Sequence, residues 1–199
     1  MRVKLRRLLQ ILGVVLAVLV IAGAATMYAT NRTHDTPLLV VNQSGRATAL
    51  VVYQPGLSAF QQEMTDAFLD GLVDVGWRVE VTTVGDRAPQ YVAPYGLVVF
   101  GGPVYWSSPA RPLRRYIAQV KGLHDMPTAI VLTGLGSVKG AKAEAEHLVR
   151  AAGGAIVASL ALTIMRPNDE EAMRAGERNR VTAARLAREA GRQITPPAR

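Results

Sequence analysis

The stretch Leu97-Val98-Val99-Phe100-Gly101-Gly102-Pro103-Val104-Tyr105-Trp106-Ser107-Ser108-Pro109 decides the fold. Tyr95 to Phe100 is a short apolar run, as a strand buried on both faces requires. Gly101, Gly102 and Pro103 read as a tight turn that stops the run. Two adjacent aromatics follow, and Ser108 or Pro109 opens a helical pattern with Leu113, Tyr116, Ile117 and Val120 on one face, closed by Gly122. A strand, a glycine turn and two flat side chains ahead of a helix form a platform suited to a flat ligand.

The same alternation continues on both sides. Thr48 to Tyr53 (TALVVY) is a β-branched run bounded by Pro55-Gly56. Ser58 to Val75 carries Ala59, Met64, Ala67, Phe68, Leu72 and Val75 at helical spacing, and Gly76 stops it. Trp77 to Thr83 alternates with Arg78 and Glu80, as an edge or half-exposed strand does. Gly85 to Pro94 is loop. Pro127 to Thr133 (PTAIVLT) is a buried strand, Val138 to Ala152 a helix stopped by Gly153-Gly154, and Ala155 to Thr163 a fifth strand. Asn168 to Arg192 reads as the last helix, with Asn168 as N-cap and Asp169, Glu170 and Glu171 in its first turn. These repeats predict an α/β fold with a five-stranded parallel sheet and helices on both faces.

Residues 1–7 form a basic N-terminus with Arg2, Lys4, Arg6 and Arg7. Residues 8–29 are almost wholly apolar, with Gln10 the strongly polar exception, and about 20 apolar residues cross a bilayer as a helix. Cations tend to stay cytoplasmic. Only Arg32 and Arg46 follow soon after, so the reading is a single-pass signal anchor at the cell membrane, N-in, with the domain outside the cytoplasm. A cleaved signal peptide is the competing reading, with small-residue sites at Ala22-Gly23-Ala24 and Met27-Tyr28-Ala29. Residues 30–47 read as a polar tether interrupted by Leu38-Leu39-Val40-Val41, residues 48–194 as one domain and residues 195–199 as a frayed tail.

The chain has no cysteine, which removes disulfides, thiolate metal sites and cysteine nucleophiles. Its net charge is +8, but four basic residues precede the apolar segment and the rest are scattered, so no nucleic-acid partner is expected. His34 lies in the tether and His124 and His147 in or beside helices, and no His/Asp/Glu cluster has metal spacing. Gly56-Leu57-Ser58-Ala59-Phe60 half-matches a nucleophile elbow but lacks its final glycine and a placed base.

In an open parallel sheet, ligands bind beyond the carboxyl ends of the strands at the switch point. That selects three loops: Gln54 to Phe60, Gly101 to Ser108 and Thr133 to Lys139. Residues 48–192 resemble the flavodoxin family. The resemblance rests on Tyr53-Gln54-Pro55-Gly56-Leu57-Ser58, on Gly101 to Trp106 followed by Pro109 and Pro112-Leu113, and on Thr133-Gly134-Leu135-Gly136-Ser137. It implies a three-layer sandwich with sheet order 2-1-3-4-5 and non-covalent FMN.

The resemblance assigns the flavin phosphate to Gln54, Gly56, Leu57, Ser58, Ala59 and Phe60, at a helix N-terminus. It assigns the ring to Gly102, Pro103, Val104, Tyr105 and Trp106, with Tyr105 or Trp106 stacking, and the opposite side to Thr133, Gly134, Leu135, Gly136 and Ser137. The alternative for the two aromatics is packing against the next helix, and for Ser58 a plain cap. The phosphate loop departs from the family's hydroxyl-rich Thr-Gly-Asn-Thr pattern, and Pro55 removes one N–H donor. Two functions follow: electron transfer or quinone-type reduction at the membrane, or a flavin-free binding module. The expected partners are membrane lipid through the N-terminal helix and an acidic redox protein.

Overall fold

The computed structural model describes residues 2–165, 168 and 177–197. It has two compact units, Met1–Arg32 and Thr33–Arg199. The first is one helix, α1 (Arg2–Asn31). Its segment Gln10–Asn31 has 22 residues of mean hydropathy 2.4, long and apolar enough to cross a membrane. Thr26 Oγ1 donates to Ala22 O at 2.9 Å and Thr30 Oγ1 to Thr26 O at 2.9 Å. Such back-bonding satisfies the hydroxyls within the helix itself.

The second unit contains, in chain order, β1 (Leu39–Val41), β2 (Ala47–Tyr53), α2 (Phe60–Asp74), β3 (Trp77–Thr83), β4 (Leu97–Tyr105), β5 (Ser108–Pro109), α3 (Arg111–Gln119), β6 (Pro127–Gly134), α4 (Lys139–Ala151), β7 (Ala155–Thr163) and α5 (Asn179–Arg192). The sheet runs β1-β3-β2-β4-β6-β7, with β5 paired to β4. The five long strands pair in parallel and follow the expected order 2-1-3-4-5, so the fold is flavodoxin-like. Strand alternation splits the core in two. Leu50, Val52, Val98 and Phe100 face α3 and α4, whereas Val51 and Val99 meet Phe60, Met64, Phe68 and Leu72 of α2. On that face α2 and α5 touch backbone to backbone: a methyl on Gly71 would strike Arg188 O, and one on Gly191 would strike Phe68 O.

The sheet has seven strands, not five. The first addition lies in the expected tether. Leu39–Val41 pairs antiparallel with β3, setting Leu39 opposite Val81 and Val41 opposite Val79. The apolar interruption of the tether thereby covers an otherwise open sheet edge. The second addition overturns the glycine turn. Gly101 and Gly102 lie within β4, which runs on to Tyr105. A Cβ on Gly101 would sit 2.9 Å from Tyr53 Cβ, and one on Gly102 2.7 Å from Leu113 Cδ2. These glycines serve close packing rather than chain reversal. The reversal comes at Trp106 (φ 52°) and Ser107 (φ 63°), which join β4 to β5 as a two-residue hairpin.

The helix after that hairpin starts at Arg111, with a proline in its first turn, rather than at Ser108 or Pro109. The last helix is described from Asn179. Asn168 is not its N-cap: its side chain accepts from Thr163 N at 2.5 Å and donates to Asn179 Oδ1 at 2.8 Å. The expected acidic first turn, residues 169–171, lies outside the described residues.

Candidate functional site

The chain passes from β2 outward to β3 and returns to β4 on the other side of β2, so the switch point lies between β2 and β4. A cavity of about 210 Å³ opens there, at the carboxyl ends of β2, β4, β6 and β7. Its wall is Gly56, Leu57, Ser58, Phe60 and Gln61 on one side, Pro103, Val104 and Tyr105 in the middle, and Thr133, Gly134, Leu135 and Ile164 on the other. The three loops selected from sequence therefore meet at one place.

The first loop runs as turn and bend from Gln54 into α2. Among the described residues, the backbone N–H groups of Ser58, Ala59 and Phe60 have no backbone acceptor. Together with the helix dipole they form an anion-binding corner. Ser58 does not cap the helix. It is exposed, the N-cap position falls on Ala59, and no side chain bonds the first turn. Leu57 N–H donates to Tyr105 Oη at 3.1 Å, so a side chain from β4 already engages this loop. Burial raises the Tyr105 hydroxyl pKa, opposed by the Leu57 donation. Nearby, Arg180 of α5 grips Glu63 through its Nε at 2.5 Å and through a second nitrogen, which neutralises the acid in the first turn of α2.

The floor of the site holds a residue that sequence reading missed. Gln61 is 1% exposed. With both ends of its amide satisfied, it donates to Gly102 O at 2.8 Å and Thr133 Oγ1 at 2.6 Å, and accepts from Thr65 Oγ1 at 3.0 Å and Gly102 N at 3.1 Å. Gly102 pairs with Leu132 of β6, and β2 ends opposite Gly101. Gln61 thus ties the end of β4 to Thr133 at the end of β6 from the helix side. Gly102 N–H and C=O thus face Gln61 rather than a ligand edge. The signal was legible: Gln61 and Thr65 are polar residues four apart within an apolar helical stripe. Ile164 gave no comparable signal, because it follows the last strand singly.

The two aromatics part company. Tyr105 lines the cavity, while Trp106 stands at the hairpin tip, 91% exposed, on neither a ring nor the next helix. Gln54 is buried behind the loop, its N–H donating to Gly101 O at 2.8 Å. Ala59, Gly136 and Ser137 lie outside the cavity wall. Leu135 sits on the rim, but Val138 turns inward and is buried against Gly134.

In an open α/β sheet, the crevice at the switch point is the place where ligands bind. Solved structures agree on the fold. The second unit resembles Megasphaera elsdenii flavodoxin, with TM-score 0.57 at 13% identity over 73% of this chain and 99% of that one. It resembles an azoreductase from Bacillus anthracis equally, with TM-score 0.57 at 13% identity over 74% and 100% of the two chains. A WrbA-like flavodoxin from Agrobacterium tumefaciens matches with TM-score 0.51 at 15% identity, over 74% and 94%. No family model matches the chain, and no curated protein matches it in sequence.

Proposed function

We propose that the second unit binds FMN non-covalently and that the protein is a flavin redox module tethered to a membrane by α1. One observation carries this: an apolar cavity and a turn with open amides lie side by side at the β2/β4 switch point. The residues present fit the group. Ser58, Ala59 and Phe60 offer N–H groups for the phosphate. Leu57 N–H becomes available when a phosphate oxygen replaces the Tyr105 hydroxyl as its acceptor. Pro103, Val104, Thr133, Gly134, Leu135 and Ile164 supply apolar wall, and the Gln61 network holds the floor rigid. Gln54 and Gly102 support these positions from behind, through the Gln54–Gly101 bond and the Gln61 network. Bound flavin supplies electron storage and transfer, and the chain contributes binding, orientation and exclusion of water. Electron carriage and reduction of a small quinone-like substrate both fit this division of labour.

The second reading is a flavin-free module at the membrane. Three observations favour it: the Tyr105–Leu57 bond across the cavity mouth, the missing donor at Pro55, and a cavity below the roughly 300 Å³ common for ligand pockets. Titration of the detergent-solubilised chain with FMN, followed by flavin fluorescence, separates the two. Saturable quenching at micromolar FMN supports the redox reading, and unchanged fluorescence rejects it. The orientation belongs to the same proposal: N-in, with the domain outside the cytoplasm, facing an acidic partner or anionic lipid. A reporter active only outside the cytoplasm, fused after Arg199, tests it. A silent reporter reverses the orientation.

A further inference from the structure

Four exposed apolar side chains crown the carboxyl edge of the sheet: Leu57 after β2, Trp106 after β4, Leu135 after β6 and Met165 after β7, exposed by 62, 91, 67 and 75%. They are one patch. Leu57 N–H meets the Tyr105 hydroxyl beside Trp106, and Met165 N–H donates to Leu135 O at 3.2 Å. The Trp106-Ser107 hairpin places two non-glycine residues at positive φ, where glycine or asparagine is usual. A tryptophan held in that conformation and pointed at solvent serves the surface and not the core. The cations Arg111 and Lys139 begin α3 and α4 at the same edge, both exposed and in no ion pair with the described residues. Asp35 and Asp86 also lie toward this edge, and Asp35 is engaged by Arg87 at 3.3 Å.

The chain enters the folded unit at this same edge. β1 runs antiparallel to β3, so its leading residues lie beside the carboxyl end of β3. Thr36 N–H donates to Thr83 Oγ1 at 3.2 Å, and the Asp35 carboxylate accepts from Arg87 N at 2.9 Å. From Asn31, the last residue of α1, to Asp35 is four steps, at most about 14 Å of extended chain. The patch begins two strand spacings from that entry, about 10 Å away.

We propose that this edge docks on the bilayer that holds α1, with Trp106, Leu57, Leu135 and Met165 entering the headgroup layer. This rests on α1 spanning the membrane. A short leash attached at the apolar edge holds that edge at the interface, where tryptophan is preferred and anionic lipid attracts Arg111 and Lys139. The cavity mouth, lined by Leu57 and Leu135, then faces lipid rather than water.

The chain has two tryptophans: Trp77 is buried in the core, and α1 has none. Emission excited selectively from tryptophan therefore reports Trp106 against a fixed background. The full chain is reconstituted into phosphatidylcholine–phosphatidylglycerol vesicles with plain or brominated acyl chains. Docking predicts that brominated lipid removes most of the Trp106 emission, that aqueous acrylamide does not reach it, and that Trp106→Phe abolishes the lipid-sensitive fraction. Leu135→Asp, a surface change that the fold tolerates, reduces the quenching severalfold while flotation with the vesicles persists. Flotation with Trp106 open to acrylamide and untouched by brominated lipid overturns docking alone. Failure to float overturns the anchor and docking with it. Protection from both quenchers, growing with protein density, assigns the patch to a second copy of the chain and also overturns the proposal.

Discussion

At the scale of single residues, Tyr105 and Trp106 carry opposite assignments despite being neighbours. Trp106 and Ser107 hold left-handed backbone without glycine's freedom. The double change Trp106→Asn with Ser107→Gly relaxes that turn and removes no core contact. Its expected effect is a gain of about 1 kcal/mol, a rise of roughly 2–4 °C in the melting midpoint. Thermal unfolding followed by circular dichroism checks it, and a fall in midpoint would show that the tryptophan packs. Tyr105→Phe tests the other neighbour. It deletes the acceptor of Leu57 N–H, at a cost of about 0.5–1.5 kcal/mol in stability. On the proposed function, ligand then no longer displaces that hydroxyl, and FMN affinity is expected to rise on the order of fivefold, read by fluorescence titration. A loss of affinity would instead make the hydroxyl a ligand contact.

Among elements, the interlock of α2 and α5 is the most exposed to mutation. Gly71→Ala drives a methyl into Arg188 O, a backbone atom with nowhere to retreat. The expected loss is about 2–3 kcal/mol, measured by urea unfolding. Gly56→Ala is the matched control: its nearest neighbours would lie at 3.4–3.6 Å and its φ is not left-handed, so stability stays within about 0.5 kcal/mol. The same contrast explains what could be read from sequence. The five long strands were legible because buried parallel strands are continuous apolar runs, and their order was what the family resemblance implied. So were the three loops that build the cavity, since their position follows from strand order. The glycine pair misled because steric need and turn-forming need look alike in a sequence. Gly101 and Gly102 are small for Tyr53 and Leu113, residues distant in sequence. β1 and β5 were illegible because three-residue and two-residue strands exist only through their partners. Gln61 is the same lesson in a side chain: its inward polarity makes sense only once Gly102 and Thr133, distant in sequence, are seen to meet it.

For the whole molecule, titration sets the pH range over which these contacts hold. Asp74 hydrogen-bonds Arg188 at 2.8 Å and Arg192 at 2.7 Å, which lowers its carboxyl pKa to about 2. Its contribution is present above the unfolded carboxylate range and is lost as pH falls through about 2. Tyr95 shows the opposite sign: burial, then its bond to Glu80, raises its pKa to about 12. That contribution is present below about pH 10 and is lost as pH rises through about 12. Asp66 works against the fold. Partial desolvation first, then the nearby charges of Asp70 and Glu63, raise its pKa, so protonation favours the folded state. Stability from this group is present below the unfolded carboxylate range and falls as pH rises through the raised value. Asp66→Asn therefore raises stability at pH 7 and leaves it unchanged near pH 3, where both forms are neutral. Urea midpoints at the two pH values decide the matter. An equal gain at both would trace the effect to packing, and no gain at pH 7 would mean that the carboxylate is already relieved by a partner.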